Sequence, residues 1–454
     1  MGKITLSQAA QWCGGRIDPK YKDVAFLGAN NDTRKLAPGQ LFVALQGARD
    51  GHDFIPAALE KGAAAVLCTH CDGDWPAIVV EDTRIALGLI AKQERQRIGM
   101  KVVGITGSVG KSTTKEMVAK VLSSAYATAK TPANHNNDIG MPMAILGMSE
   151  DTEVAVLEMG MNHFREIAYL SDIAKPDIGV IINIGTMHIE HLGSREGILR
   201  AKMEILEGMR EDGKVILNGD DDMLWGQRNK HSMHFTYFGR QNMDCALTAR
   251  DVRQAEGAIG YLAFSNGFHF PVELPVEGLH HVTDSLAAIA VGMELGVDPA
   301  ALQERLSGFQ NMAGRQEIYE KNGYTIINDC YNAGPESMSA ALQVLGAKPG
   351  RKIAVLGDML ELGVCSQAEH YRVGRIAAEN AQMLFAYGPH AKRMIGGAVT
   401  GGLSDSKARA FEDRDALIRA LSSAAKPGDV LLFKGSRGMH MELALEGFLK
   451  NTEE

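Results

Sequence analysis

Lys111 stands directly behind Gly110 in the run KVVGITGSVGKSTTK, residues 101–115. An apolar strand that enters a glycine loop and then the first turn of a helix makes a cradle for polyphosphate. Gly107 and Gly110 let backbone N–H groups turn inward, the helix start adds its positive end, and Lys111 supplies a point charge. The hydroxyl of Ser112 or Thr113 is then placed for Mg²⁺. The strict nucleotide-loop template has a glycine where this chain has Ile105, so the loop is one glycine short. A plain strand-to-helix turn with a surface lysine is the alternative, and Gly-Lys-Ser-Thr straight after an apolar strand argues against it.

In open α/β sheets, ligands gather beyond the carboxyl ends of strands, so polar residues there carry weight. Glu158 ends the run Val154-Ala155-Val156-Leu157 and could hold Mg²⁺ opposite the phosphate loop; a structural carboxylate fits the same place. His188 follows the strand expected over 178–185, with Glu190 and His191 as competitors. Lys202 is the oddity. In REGILRAKMEILEGMR, Ile198, Leu199, Ile205, Leu206 and Met209 form one helical stripe with Lys202 at its centre. Arg200, Glu204, Glu207 and Glu211 make the wet face. The Lys202 stem could be buried while its ammonium reaches water. Alternatively, a neutral amine that had captured CO₂ would present a carbamate, a carboxylate-like metal ligand. Asn134, Asn136 and Asn137 suit a polar ligand or ordinary turn chemistry. Asp329 ends a later strand and could take a ribose hydroxyl, and KGSR at 434–437 resembles a further anion-binding turn.

These residues need sheets to hold them. Strands ending in polar residues recur from Lys101 onward as VVGIT, EVAVLEMG, PDIGVIINIG and GKVILNGDD, alternating with helical segments, which predicts a parallel sheet. The pattern restarts after Arg315 with YTIINDCYN, RKIAVLGDM, MLFAYG and DVLLFKGS, a second open sheet. Short strands and the unit FIPAALEKGAAAVLC make residues 1–98 a small α/β domain, with 99–315 and 316–454 as the second and third. A chain of 454 residues is long enough for several cores. With 45% apolar and 22% charged residues, its composition is that of a globular protein. A net charge of −8 argues against a nucleic-acid partner. Six scattered cysteines make no disulfide framework, and the CxxC of Cys68 and Cys71 has no second ligand pair. No stretch has the length and apolarity of a signal core or membrane span, so a cytoplasmic location is expected.

Taken together and in this order, the residues resemble the Mur ligase family of bacterial cell-wall synthesis. NDTRKLAPGQLFVALQGARDGHDF is similar to the family's UDP-binding first domain, and ITGSVGKSTTKEM to its ATP loop, which also lacks the first glycine. NNDIGMP, LEMGMNH, EHLGSREGI and AKMEI follow at family-like intervals, and then come GR, DCYNAGPESM, LGDMLELG and LLFKGSRGMHME. The resemblance implies a three-domain α/β protein: a small UDP-substrate domain, a central parallel-sheet P-loop ATPase domain and a C-terminal Rossmann-like domain. It implies an ATP-dependent amide ligase that adds D-alanyl-D-alanine to UDP-N-acetylmuramoyl-tripeptide through an acyl phosphate. The working form would be a monomer acting on small molecules.

By the same resemblance, Thr106, Gly107, Ser108, Gly110, Lys111, Ser112 and Thr113 would bind ATP, joined by Arg315 and Asp329. Ser112 and Glu158 would hold one Mg²⁺, while Glu158, His188 and a carbamylated Lys202 would hold a second. Thr33, Arg34, His52 and Asp53, with Asn136 and Asn137, would bind the UDP-substrate. Asn332, Lys434, Ser436 and Arg437 would line the dipeptide side. The chain departs from the family pattern at Gly334, where Asn often precedes Pro, and at His281 and Asp284, where asparagines near the adenine are common. Three rival readings remain. One is a ligase of another Mur step, or of folylpolyglutamate or cyanophycin type. Another is a nucleotide-binding regulatory protein that has lost catalysis. The last is a P-loop kinase or motor, which leaves the outer domains unexplained.

Overall fold

Apolar runs buried on both faces, such as Val154–Glu158 and Ile178–Ile181, set the architecture. The computed structural model describes residues 3–265 and 267–453, so the extreme ends of the first and third expected domains lie outside the described residues. Near the N-terminus, β1 (Ile4–Thr5) and β2 (Ala25–Phe26) pair antiparallel. The strands β3 (Ala29–Asn30), β4 (Leu41–Val43), β5 (Ala65–Cys68) and β6 (Ala77–Val79) form a parallel sheet in that order. Helix Thr83–Ile98 closes this unit and is started by Asp82, whose carboxylate accepts the N–H of Arg84 and Ile85. Its Leu87 and Ile90 share one core with Met141, Ile145 and Leu170 of the central unit.

The central sheet has nine strands. They are β7 (Lys101–Thr106), β8 (Thr128–Lys130), β9 (Val154–Glu158), β10 (Ile178–Ile181), β11 (Lys214–Asn218), β12 (His234–Gly239), β13 (Leu247–Ala255), β14 (Ala258–Ser265) and β15 (Phe268–Leu274). Their spatial order is β15-β14-β13-β12-β11-β10-β7-β9-β8. β7 to β13 run parallel, as the strand-helix alternation predicts, and β14 and β15 turn back antiparallel. The short edge strand β8 and the strands β12 to β15 are not among the apolar runs that predict the sheet. β15 alternates between covered and exposed positions and carries no continuous apolar run, whereas β14 is apolar along most of its length but follows β13 with no helix between, outside the strand-helix alternation. Register then does the positioning: Ile105 lies opposite Glu158 and Thr106 opposite Ile181, which brings three strand ends to one rim.

The third sheet contains β16 (Glu317–Lys321), β17 (Tyr324–Asp329), β18 (Lys352–Gly357), β19 (Met383–Tyr387), β20 (Ala408–Phe411) and β21 (Val430–Lys434). Its order is β16-β17-β21-β18-β19-β20, parallel except for β16. The edge strands β16 and β20 were not expected, again because they are only partly covered. Register pairs Asp329 with Lys434 at the carboxyl ends. Among the described residues no helix is long and apolar enough to cross a membrane.

Candidate active site

A cleft of about 1270 Å³ opens between the central and third sheets. One wall is the loop between β7 and helix Lys111–Leu122. Gly110 has φ +84° at the helix N-cap, and a Cβ there would stand 2.7 Å from Asp284 Oδ1, so both backbone and space favour glycine. Lys111, half-buried at the first helical position, donates to the carbonyls of Gly107 (2.8 Å) and Ser108 (3.1 Å). Thr106 is fully buried and its hydroxyl has no hydrogen-bond partner. Ser108 Oγ accepts the N–H of Gly185, and Thr113 lines the cleft.

Glu158, at the end of β9, has both carboxylate oxygens engaged. Its Oε2 accepts from Ser112 Oγ at 2.7 Å and its Oε1 from Asn136 Nδ2 at 2.9 Å. The buried Lys115 ammonium lies 3.6 Å from Oε2. Oxygen donors that are neighbours around an octahedral Mg²⁺ at ~2.1 Å are themselves roughly 3 Å apart. The Ser112–Glu158 pair therefore has the chemistry and spacing of two adjacent Mg²⁺ ligands. Among the described residues, no three His, Cys, Asp or Glu side chains cluster as a ready metal site.

His188 also lines the cleft, in a left-handed conformation (φ +64°) at the start of the short helix Ile189–Leu192. Lys202, on helix Arg195–Met203, is 2% exposed, which removes the snorkelling alternative. Burial pushes its ammonium far below the usual lysine range, and nearby Lys111 pushes the same way. Glu204 does not belong to the wet face as expected. It is buried, because its carboxylate accepts the N–H groups of Arg165 and Ala168 and so caps helix Glu166–Ala174.

The opposite wall belongs to the third unit. Arg315 lies 3.8 Å over the Tyr331 ring, and both face the cleft. Asp329 accepts from the N–H of Gln316 (3.1 Å) and from Lys434 Nζ (2.6 Å), so it ties the joint between units to β21. Lys434 also donates to the Asn332 carbonyl (2.9 Å). Ser436 is buried, donating to the Ala333 carbonyl and accepting from Leu360 N–H, while Arg437 stays exposed at the cleft edge.

The uridine-end candidates are elsewhere. Thr33, Arg34, His52 and Asp53 do not line this cleft. Arg34 forks onto Asp32, and both ring nitrogens of His52 are used inside its own unit, by Asp50 (2.6 Å) and the Thr69 N–H (3.0 Å). Asn136 reaches Glu158 and Asn137 Oδ1 accepts the Gly140 N–H, starting helix Gly140–Leu146.

Several residues of the site were missed from sequence. Asn183 Oδ1 accepts the N–H groups of both Ser108 and Val109 at 3.0 Å, and its Nδ2 donates back to the Val109 carbonyl, pinning the phosphate loop. The strand-end rule that singles out Glu158 would have found it. Lys115 sits one turn past Lys111, a spacing that puts both on neighbouring helix positions. Glu336 and Glu361 reach across from the third unit, and no local signal marks them.

Known proteins match over most of the chain. Residues 25–95 fit the family described as Mur ligase family, catalytic domain; residues 105–292 fit the Mur ligase middle domain; and 314–437 fit the Mur ligase, glutamate ligase domain. The UDP-N-acetylmuramoyl-tripeptide--D-alanyl-D-alanine ligase of Bacillus subtilis (strain 168) is 39% identical, covering 99% of each chain. A crystal structure of MurF from Acinetobacter baumannii superposes with a TM-score of 0.91 at 32% identity over 99% of both chains. The MurF ligase from Thermotoga maritima, solved in complex with ADP, gives 0.82 at 31% identity over 94% of this chain and 98% of that one.

Proposed function

This chain belongs to the Mur ligase family, and we propose that it uses ATP to join D-alanyl-D-alanine to UDP-N-acetylmuramoyl-tripeptide, a step of peptidoglycan precursor synthesis. The observation that carries the reading is the two-walled cleft. The phosphate loop, Glu158 and His188 face Arg315, Asp329, Asn332 and Lys434 across it.

The tripeptide carboxylate attacks the γ-phosphorus of ATP and ADP leaves, giving an acyl phosphate. The dipeptide amine then attacks the acyl carbon, phosphate departs, and the amine gives up a proton as the amide forms. Bringing a carboxylate within about 4 Å of a phosphate charge costs on the order of 4 kcal/mol at an effective dielectric of 20. That is roughly a thousandfold in rate. Lys111 and the start of its helix offset the repulsion once Lys111 leaves the loop carbonyls for the terminal phosphates. Thr106, Gly107, Ser108, Gly110, Ser112 and Thr113 cradle the chain of phosphates, with Arg315 and Asp329 at the nucleoside side.

We assign one Mg²⁺ to Ser112 and Glu158 and a second to Glu158, His188 and a carbamylated Lys202, where bound ions would neutralise phosphate charge. Burial disfavours the charged form of Lys202, and Lys111 pushes the same way. A neutral amine can add to CO₂, forming an N–C bond and releasing one proton, which would turn the buried neutral amine into an anionic ligand. The uridine end is assigned to Thr33, Arg34, His52 and Asp53, with Asn136 and Asn137 toward the cleft. The dipeptide approaches on the side of Asn332, Lys434, Ser436 and Arg437.

We draw the domains as 1–98, 99–315 and 316–454. One chain supplies both walls of the cleft, so we take the working form as a monomer, in the cytoplasm where ATP is supplied. The test is ADP release with UDP-N-acetylmuramoyl-tripeptide and D-alanyl-D-alanine, each omitted in turn. Release should need both, and Lys111→Ala should abolish it while leaving UDP-substrate binding intact. Release that ignores the dipeptide would overturn the reading.

A further inference from the structure

His188 meets a partner 173 residues away: its Nδ1 lies 2.5 Å from Glu361 Oε2, on the loop that follows β18 in the third unit. Both residues hold left-handed backbone conformations, with φ +64° at His188 and +63° at Glu361. Such conformations are unfavourable for non-glycine residues, and the surrounding structure must enforce them. The Glu361 loop is enforced. Met359 N–H donates to His370 Nε2 at 3.0 Å, Leu360 N–H donates to Ser436 Oγ at 2.9 Å, and Ser436 N–H closes on the Asp358 carbonyl. A Cβ on Gly363 would come within 3.1 Å of the Glu190 side chain, so the loop sits directly on the short helix that His188 begins.

We propose that Glu361 is a positioning residue for His188: its carboxylate accepts the Nδ1–H, fixes that tautomer and leaves Nε2 as the ring's lone-pair nitrogen. An ionised carboxylate can only accept, so the proton at this contact belongs to the imidazole. A histidine that offers Nε2 to a cation needs this arrangement, with the other nitrogen donating to an oxygen. Because the oxygen rides on the third unit, His188 is set for its role only when that unit lies against the central one. Ser436, which anchors Leu360, thereby belongs to the support of His188 as well as to the dipeptide side. The inference rests on the placing of His188 at the ATP site.

The experiment uses the full chain labelled with ¹⁵N-histidine, the His188 signals being identified by their loss in His188→Gln. The wild-type His188 ring should show a protonated Nδ1 and a bare Nε2. Glu361→Ala should return it to the tautomer mixture of free imidazole and lower kcat for ADP release about 10- to 100-fold, the range typical of outer-shell partners. Glu361→Gln, whose amide oxygen still accepts, should keep the tautomer and restore most of kcat. A wild-type ring protonated on Nε2, or a Glu361→Ala protein with unchanged tautomer and kcat, overturns the proposal. The ring signal is read without substrates, so failure of the wild type to ligate would defeat the functional reading and leave this one standing.

Discussion

Gly334 lies so close to Met187 that a Cβ built on it would stand 2.6 Å from the Met187 Cγ. The contact seats the third unit on the loop after β10, beside Glu336, whose carboxylate accepts the N–H (2.9 Å) and hydroxyl (3.0 Å) of Thr186. A glycine in the place where the family often has asparagine thus has a steric cause in this chain. Gly334→Ala should hold the cleft ajar. Overpacking of ~1–3 kcal/mol corresponds to roughly a five- to hundredfold loss in kcat/KM. Met187→Ala added to the same chain should restore most of it. Equal kcat/KM in Gly334→Ala and parent would show that this contact does not govern closure.

Asn183 occupies the N–H groups of Ser108 and Val109. Removing its amide leaves the Val109 N–H and carbonyl without partners, while Ser108 N–H keeps its bond to the Asn183 backbone carbonyl; each lost partner is worth about 1 kcal/mol or more when buried. Asn183→Ala is expected to raise the KM for ATP severalfold and to lower the melting temperature, with Asn183→Asp keeping the two acceptor contacts and recovering the latter. Calorimetry and an ATP titration decide it, and unchanged ATP affinity in the alanine variant would rule out a role for Asn183 in shaping the loop.

Lys202→Ala should lose activity, because it removes the carbamate assigned as a ligand of the second Mg²⁺. A small carboxylate added to the buffer should partly restore turnover. Full activity of the variant without additive would show that Lys202 is only a packing residue.

Asp284 is buried against Gly110 and accepts from Thr114 Oγ1 at 3.0 Å; its other oxygen has no hydrogen-bond partner. Burial pushes its carboxyl up to about 7 from 3.8. Between those values the folded protein keeps a proton that the unfolded chain has lost, so this group's contribution to stability falls as pH rises and levels off above about 7. Burial holds neighbouring His281 down to about 4, which works in the opposite direction below its ordinary value. Asp284→Asn removes only the first effect. Its stability advantage over the parent should therefore grow from pH 4 to 7, by at most ~1.4 kcal/mol per pH unit, and then stay constant. A pH-independent difference in melting temperature would place the Asp284 carboxyl near its ordinary value.

Lys111, Ser112, Glu158 and His188 were legible because each sits just beyond a buried apolar strand, and strand ends in an open sheet share a rim. Lys202 was legible as an anomaly, a charge on an apolar stripe, although the sequence could not distinguish a buried stem from a buried amine. Glu204 was misplaced for the converse reason. Its face of the helix is covered by the N-terminus of another helix, and helical spacing is blind to neighbours. β15 escaped because a strand with one wet face lacks a continuous apolar run, and β14 because no helix separates it from its neighbours.

Local order therefore came from the chain itself: glycines that allow the phosphate loop to turn, apolar runs that become buried strands, and polar residues left at their ends. Those depend on covalent geometry and on hydrophobic spacing within a few residues. The pairings His188–Glu361, Thr186–Glu336 and Gly334–Met187 were decided only when two separately formed sheets met. Short-range contacts of a few ångströms between residues about 150 positions apart leave no periodicity along the chain, so only the folded arrangement could assign them.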